Sequence, residues 1–386
     1  MSTAFEFVTA TRIRFGQGSA ASAATEVAKL GSRAAVIHGA NGTRSAWLTQ
    51  DLEAASVEVL SFTIGGEPSF DRVRTVIDQA RQQSCDVVVS IGGGSVIDTG
   101  KAVAALLTND GDLLDYVEGI GRGKTLALPA APFIAIPTTA GTGAEVTKNA
   151  VLGSTEHGVK VSLRSTLMLP TLALVDPELT SSLPPHVTAT TGLDAVTQLL
   201  EAYTSKKANP MTDAICREGL SRAGRSLLQA VRHGDDVKAR EDMALASLFS
   251  GLALANAGLG AAHGFAGPLG GRYDAPHGAL CARLLPYVVT TNVTALLERD
   301  PAAAALEKYE NAARLLLDQP GATVEELKQW LHELCDILKV PGLATYGLDE
   351  DAFPEEVEKA KRASSMRGNP IELTDKELTH ILRDAL

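Results

Sequence analysis

A short apolar run followed at once by three glycines constrains the fold of this 386-residue chain more than any other feature. Residues 86–91 read Asp-Val-Val-Val-Ser-Ile, a continuous stretch typical of a central parallel strand covered on both faces. Gly92–Ser95 breaks the run, and a helical pattern begins at Val96. With 35 glycines and only 4% aromatic residues, the chain suits tight strand-to-helix turns better than a β-sandwich.

The first half of the chain repeats this alternation of strand and helix. Extended segments are predicted at 5–15, 34–38, 57–62, 86–91 and 133–136. Helices are predicted at 19–30, 43–55, 70–83 and from residue 96 onward. Alternating strands and helices with short turns predict an α/β domain with a doubly wound, mostly parallel sheet.

The character of the sequence changes after about residue 180. Pro184 and Pro185 mark a break, and the remainder is rich in Ala, Leu, Glu and Lys. Helical spacing is found at 187–205, 210–231, 237–258, 301–316 and 323–338. We therefore expect an α/β domain over 1–182 and an all-helical domain over 183–386, in keeping with the chain length.

Composition excludes several classes of function. The net charge of −11 and the lack of a basic run argue against nucleic-acid binding. A hydrophobic content of 45% excludes disorder. The four cysteines are scattered without a Cys-x-x-Cys pair, which predicts neither disulfides nor a zinc ribbon. The most apolar stretch, 126–136, is too short to span a bilayer, and no signal-peptide pattern is present, so we expect a cytoplasmic protein that binds no membrane.

Two loops at predicted strand ends favour a nucleotide site. Gly92–Ser95 and Thr138–Gly143 each follow an apolar strand. Glycines let backbone amides approach a pyrophosphate, and a helix N-terminus attracts negative charge. The sequence is not the Gly-x-Gly-x-x-Gly fingerprint, and a single loop of this kind is equally compatible with a plain tight turn. Together the two loops favour nucleotide binding at the carboxyl end of the sheet.

Candidate metal ligands occur in the second half. Asp194 and Gln198 are four residues apart and share one helix face. His263 and His277 each lie among small residues. A carboxylate with two imidazoles suits zinc or ferrous iron with a position left for a substrate oxygen. Spacing alone does not exclude two alternatives to metal binding. In one, Asp194 caps a helix, and in the other, the histidines are ordinary core residues.

The ordered set of motifs resembles the iron-containing (group III) alcohol dehydrogenase family over nearly the whole chain. The matching stretches are 92–98, 137–145, 191–195, His263, 273–278 and 365–370. The resemblance implies the architecture shared with dehydroquinate synthase: an N-terminal dinucleotide-binding domain, a helical domain and a metal in the cleft between them. It also implies NAD- or NADP-dependent interconversion of alcohols and aldehydes or ketones by a homodimer or larger oligomer.

The resemblance also implies roles for individual residues. The pyrophosphate would be bound by Gly93, Gly94 and Ser95. The adenosine and ribose would be lined by Thr138, Thr139, Thr142, Lys160 and Leu179. Asp98 would lie near the nicotinamide, and the catalytic residues would be Asp98, His263 and His277. The four metal-ligand positions correspond to Asp194, Gln198, His263 and His277.

Three positions depart from the family pattern. Gln198 and Gly267 each replace a family histidine, the second of which is often assigned to proton transfer. Because an amide is a weaker ligand than imidazole, zinc or manganese joins iron as a candidate metal. Gly39 stands where many members have an aspartate that repels a 2′-phosphate, and Arg44 is close by in sequence, so NADP is expected alongside NAD.

The leading hypothesis is hydride transfer at a metal-polarised oxygen of an alcohol, aldehyde or ketone. The first alternative is a metal-free reductase of an oxo acid, like maleylacetate reductase, with His263 or His277 as proton donor. The second is a lyase like dehydroquinate synthase. The third, motivated by Gln198 and Gly267, is a nucleotide sensor without catalytic activity.

Overall fold

The protein forms two compact units. The computed structural model describes residues 4–154, 156–157 and 159–386. The first unit comprises Val8–Thr139 and Gly143–Ser181. The second comprises residues 4–7, Ala140–Thr142 and Ser182–Leu386. The three-residue segment Ala140–Thr142 is therefore assigned to the helical unit, although the chain on either side of it belongs to the α/β unit.

The α/β unit is built on a parallel sheet. Its strands are β1 (Ile13–Phe15), β2 (Arg33–Gly39), β3 (Glu58–Ile64), β4 (Val87–Gly92), β5 (Phe133–Pro137), β6 (Asn149–Ser154), β7 (Val159–Arg164) and β8 (Leu172–Val175). Six of them pair in the order β1-β8-β5-β4-β2-β3, all parallel. This confirms the predicted parallel sheet. The antiparallel hairpin β6–β7 was not predicted.

Helices cover both faces of this sheet. They are α1 (Ala23–Ala28), α2 (Ala46–Ala54), α3 (Phe70–Gln82), α4 (Gly94–Thr108) and α5 (Leu113–Tyr116). Val88 belongs to the same core as Ile77 of α3, whereas Val87 and Val89 belong to the core that contains Leu48 of α2. Burial on alternate faces explains why β4 is apolar at nearly every position.

The N-terminal predictions were wrong in extent. The predicted strand 5–15 is extended in a sheet only at Ile13–Phe15. The predicted helix 19–30 is a 3₁₀ turn at Ser19–Ser22 followed by α1, which ends at Ala28. Short elements of this kind are fixed by tertiary contacts, such as the pairing of β1 with β8, rather than by local pattern.

The second unit is helical, as predicted. Its helices are α6 (Pro185–Thr204), α7 (Pro210–Arg232), α8 (Val237–Ala257), α9 (Ala261–Arg272), α10 (His277–Arg299), α11 (Ala304–Leu317), α12 (Val324–Ile337), α13 (Phe353–Arg362) and α14 (Asp375–Asp384). Sequence spacing missed α9, α10, α13 and α14. Helices α9 and α10 each contain an internal proline, Pro268 and Pro286, and each is buried around most of its circumference. Such helices lack the polar face on which periodicity depends.

Among the described residues, α10 is long and apolar enough to cross a membrane by length and composition alone, and α8 with α9 passes the same test only as a pair bent by 98°. However, 67% of the apolar window of α10 is buried inside the protein. That degree of burial is typical of a core helix in a soluble protein.

Candidate active site

Four side chains of the helical unit, each a potential metal ligand, lie close together. Asp194 lies on α6, His263 on α9, and His277 and Cys281 on α10. Their ligand atoms all lie within 4.8 Å of one another. The Oδ1 atom of Asp194 is 3.3 Å from Nε2 of His263 and 3.9 Å from Nε2 of His277. Asp194, His263 and His277, three of the predicted ligands, thus lie together with a cysteine that sequence analysis did not select, and a ligand role for Gln198 stays a prediction.

A close approach of two helices positions the α10 residues. A Cβ atom at Gly278 would lie only 2.5 Å from the carbonyl oxygen of Thr190 on α6, so glycine is required there. This contact sets the first turn of α10 against the turn of α6 that precedes Asp194. Cys281 is one turn beyond His277 and shares its helix face, which puts Sγ 3.6 Å from Nε2 of His277 and 3.5 Å from Nε2 of His263.

Glu201 orients His263. Its Oε2 atom lies 2.7 Å from Nδ1 of His263, and its Oε1 atom accepts a hydrogen bond of 2.7 Å from the backbone N–H of Ala262. When Nδ1 donates to this carboxylate, the lone pair of His263 is at Nε2, which faces Asp194 and Cys281. Such outer carboxylates are typical of metal-binding histidines. Glu201 was missed, although it follows Asp194 by seven residues on the same helix face.

The late motif 365–370 supports this cluster indirectly, through the helices that carry its residues. Oδ1 of Asn369 accepts a hydrogen bond of 3.1 Å from the backbone N–H of Ala261, the first residue of α9. Asn369 and Asn292 of α10 also exchange side-chain hydrogen bonds of 2.7 and 3.1 Å. These contacts fix the start of α9 against α10 and thereby hold His263 in position.

The electrostatics of the cluster favour a cation. Asp194 is 2% exposed, yet its Oδ1 accepts no hydrogen bond from any described residue. Burial raises the pKa of Asp194, but His263 and His277 outweigh this effect and lower it below the usual value. Burial lowers the pKa of His277, but Cys281 and Asp194 raise it, with a net value of about 9. The donor set and the unsatisfied carboxylate oxygen fit a divalent metal ion.

Gln198 and Gly267, which stand in place of two family histidines, have different surroundings. Gln198 is buried, and its Oε1 atom lies 2.9 Å from Oγ of Ser250. The single proton of that hydroxyl also has the carbonyl oxygens of Ser247 and Gly141 within reach, at 2.8 and 3.1 Å. A Cβ atom at Gly267 would meet nothing within 4 Å. No packing constraint therefore explains the glycine there.

Within the α/β unit, the first predicted phosphate loop lies beside Thr138 and Thr139, the start of the second. The carbonyl oxygen of Gly92 accepts a hydrogen bond of 2.9 Å from the N–H of Thr138, and a Cβ atom at Gly93 would lie 3.4 Å from the side chain of Thr139. Helix α4 begins at Gly94 with Gly93 as its N-cap and no side-chain cap. Amides of its first turn, which includes Ser95, therefore remain available to an anion.

The other predicted cofactor residues occupy separate places. Gly39 is the last residue of β2, and a Cβ atom there would meet nothing within 4 Å. Nζ of Lys160 lies 3.5 Å from Oε1 of Glu67. Leu179 is partly buried against the core that contains β4, and Thr142 belongs to the helical unit.

Asp98 has structural partners on both carboxylate oxygens. Oδ1 lies 3.1 Å from Nζ of Lys101, and Oδ2 accepts a hydrogen bond of 2.9 Å from the N–H of Val151 on β6. The carboxylate therefore ties the hairpin to α4. Its predicted role near the nicotinamide stays a prediction.

Known proteins are similar to this chain in sequence and architecture. Residues 10–177 match the family of iron-containing alcohol dehydrogenases, and residues 188–386 match the C-terminal domain of the same family. The chain is 37% identical over 341 residues to 1,3-propanediol dehydrogenase of Citrobacter freundii, covering 86% of this chain and 85% of that protein.

Solved structures agree with the sequence matches. A crystal structure of 1,3-propanediol oxidoreductase has a TM-score of 0.90 at 34% identity and covers 99% of this chain and 100% of that chain. Sulfoacetaldehyde reductase from Bifidobacterium kashiwanohense, in complex with NAD⁺, has a TM-score of 0.87 at 29% identity over 99% of this chain and 98% of that chain. The chain belongs to the iron-containing alcohol dehydrogenase family and is an enzyme of the alcohol dehydrogenase type.

Proposed function

We propose that this chain interconverts a small alcohol and its aldehyde or ketone, with a nicotinamide cofactor and a divalent metal bound by Asp194, His263 and His277. The observation that carries the proposal is the buried Asp194 carboxylate, which lies within 4 Å of two imidazole nitrogens and has an oxygen without a hydrogen-bond donor among the described residues. One carboxylate and two imidazoles form a ligand set suited to catalytic zinc or iron.

The protein side of the reaction follows from the geometry. When bound, the metal supplies Lewis-acid chemistry that polarises the substrate oxygen. Asp194 contributes the negative charge that offsets the cation. Glu201 keeps the proton of His263 on Nδ1, so that Nε2 stays free to bind.

The cofactor is assigned to the α/β unit. Backbone amides at Gly93, Gly94 and Ser95 bind the pyrophosphate at the uncapped start of α4, and Thr138 and Thr139 line the adjacent loop. The nicotinamide, when bound, carries the hydride. Contributions of Thr142, Lys160, Leu179 and Asp98 to cofactor binding remain predictions.

We assign NAD as a cofactor and NADP as an accepted alternative. The similar sulfoacetaldehyde reductase is described with NAD⁺, which supports NAD here. Gly39 presents no carboxylate at the end of β2 and leaves open space beside it, so nothing at this position repels a 2′-phosphate. With glycine at 267, the proton passes through solvent or the ribose hydroxyls rather than through a side chain at that position.

A substrate screen tests the proposal. Purified protein is assayed with aldehydes, ketones and oxo acids, using NADH and NADPH, before and after chelation and with zinc, iron(II) or manganese restored. We expect oxidation of the reduced cofactor that depends on the carbonyl compound, is lost on chelation and returns with metal.

The same screen separates the alternatives. Full activity with an oxo acid in metal-stripped protein would support a metal-free reductase and contradict the metal assignment. Stoichiometric consumption of NADH or NADPH would exclude a lyase that uses the nicotinamide only transiently. Tight binding of NADH without turnover of any compound would favour a nucleotide sensor.

We further propose a cytoplasmic homodimer, as the family resemblance implies. Sedimentation velocity of the purified protein at several concentrations tests the assembly, and a single monomeric species would contradict it.

A further inference from the structure

We infer that Cys281 is a metal ligand, so that Asp194, His263, His277 and Cys281 together form a centre that selects zinc over manganese. The inference rests on the proposed metal-dependent function and concerns its fourth protein ligand. It replaces Gln198 at that position.

Three of the six distances between the donor atoms match those of a four-coordinate site, and a fourth is 0.1 Å longer. Zinc bonds of about 2.0–2.3 Å at tetrahedral angles place ligand atoms roughly 3.3–3.8 Å apart. The two Asp194–histidine distances are 3.3 and 3.9 Å, and the two Cys281–histidine distances are 3.5 and 3.6 Å. Sγ of Cys281 therefore lies as far from the histidine nitrogens as a zinc ligand would.

Packing alone does not explain where this thiol points. Cys281 is fully buried, and its neighbours in the core are largely apolar, yet Sγ faces two imidazole nitrogens. Cys335 shows the contrasting case, since its Sγ lies 3.4 Å from the carbonyl oxygen of Ala282 and outside the cluster. The unsatisfied oxygen of Asp194 is a second, independent sign that a ligand belongs at this point.

Charge balance favours the thiolate over the amide. With Asp194 and a Cys281 thiolate, two negative charges match the two positive charges of the metal. With neutral Gln198 instead, the ligands would carry only one negative charge, and the second would have to come from Glu201, which contacts His263 rather than the metal.

Coordination changes the chemistry of the site in a defined way. As the sulfur–metal bond forms, the thiol proton leaves to solvent, and no electrons are transferred. A soft thiolate strengthens binding of zinc and adds little for manganese, which prefers oxygen ligands. Four protein ligands would still leave room for a substrate oxygen, because zinc sites can expand to five-coordinate.

Spectroscopy of the unaltered protein is the first test. Cobalt(II) is loaded into protein stripped of metal, and the near-ultraviolet spectrum is recorded. We expect an intense thiolate-to-cobalt charge-transfer band. X-ray absorption of the zinc-loaded protein should show one sulfur at about 2.3 Å. A weak spectrum with an all-nitrogen-and-oxygen shell would overturn the inference.

Matched variants are the second test. Cys281→Ser should abolish the cobalt charge-transfer band and weaken zinc binding by at least about tenfold, the lower end of the loss caused by removing even an outer-shell partner. Manganese affinity should change by less than zinc affinity. The control Cys335→Ser removes a buried thiol outside the cluster and should keep both the band and the zinc affinity.

Two outcomes distinguish this inference from the proposed function. A sulfur ligand in a protein that turns over no alcohol or carbonyl compound would support the inference and contradict the function. Metal-dependent activity with no sulfur signal would do the reverse. Circular dichroism of each variant separates loss of the ligand from loss of the fold, and the spectra of the unaltered protein need no variant to fold.

Discussion

Each unit of this protein buries a cluster of ionisable groups on a helix, but only one of the two clusters is completed by the protein itself. In the α/β unit, Lys101 is fully buried on α4. Its Nζ lies 3.1 Å from Asp98, 2.7 Å from Oγ1 of Thr147 and 2.7 Å from the carbonyl oxygen of Asn149. An ammonium group has three donors, and all three have acceptors here. This cluster is closed.

The cluster of the helical unit is open. Glu201 satisfies His263 and the N–H of Ala262, but Oδ1 of Asp194 accepts no hydrogen bond from the described residues while Nε2 of His263 carries no proton. Leaving a buried acceptor unsatisfied costs about 1–3 kcal/mol, so such an atom calls for an explanation. Burial of charge therefore does not by itself mark a site, and neither does an unpartnered buried oxygen, since Oε2 of Glu356 is one too. Oδ1 of Asp194 differs because it also lies among three other potential metal ligands.

Breaking the closed cluster should have the largest effect. In Lys101→Met, Asp98 loses its cation while it stays largely buried, and the free energy of unfolding should fall by about 3–5 kcal/mol. Urea unfolding of metal-stripped protein measures this. Adding Asp98→Asn should recover part of the loss, because the uncompensated carboxylate is then removed. Equal stability of Lys101→Met and the unaltered protein would show that the ion pair is not structural.

Breaking the open cluster should act on chemistry. Asp194→Asn keeps the shape of the side chain but removes the charged ligand. We expect kcat/KM to fall by about 10³-fold, or about 4 kcal/mol, together with loss of bound metal. Metal content is measured by elemental analysis alongside turnover. The matched control Asp98→Asn, in the closed cluster, should retain its metal, and loss of metal from both variants would erase the distinction.

Removing the carboxylate behind His263 should have an intermediate effect. In Glu201→Gln, the amide nitrogen faces Nδ1 and drives the proton to Nε2, the wrong tautomer for binding. We expect zinc affinity to fall by about 10–100-fold. Competition with a chromophoric chelator measures it. Glu145→Gln changes another buried glutamate, in the α/β unit, and should leave zinc affinity unaltered.

The sequence predicted the architecture better than the details of the site. Most of the apolar run 86–91 lies in β4. This strand is buried on both faces, as a continuous apolar run predicts. Five helices of the second unit followed from periodicity. Helices α9 and α10, which carry His263, His277 and Cys281, did not, because burial around most of the helix removes the polar face.

A sequence does not show which distant side chains meet in the folded protein. His263 and Asp194 are 69 positions apart, and only the packed helices show that they meet. Some of the missed residues did carry a local signal. Glu201 lies seven residues after Asp194, and Cys281 lies four after His277, each on the helix face of its neighbour. A search for ligands at helical spacing from each candidate would have found both.

The pH dependence of stability is the smallest expected effect and separates the two clusters without any activity assay. Burial lowers the pKa of His277, but Cys281 and Asp194 raise it to about 9, well above the unfolded value of 6.5. The pKa of His263 is also raised, since Cys281, Asp194 and Glu201 outweigh its burial. Protonated histidines therefore stabilise metal-free protein below about pH 6.5, and this contribution is lost as the pH rises to about 9.

The urea midpoint of metal-stripped protein should accordingly fall between pH 6.5 and pH 9, and it should fall less in Asp194→Asn, which lacks the charge that favours the protons. With saturating zinc the slope should reverse, because protons compete less with the metal as the pH rises. The cluster around Lys101 is not proposed to bind zinc, so protons and metal do not compete there. A midpoint that falls equally with and without zinc would mean that the histidine cluster is as closed as the lysine cluster.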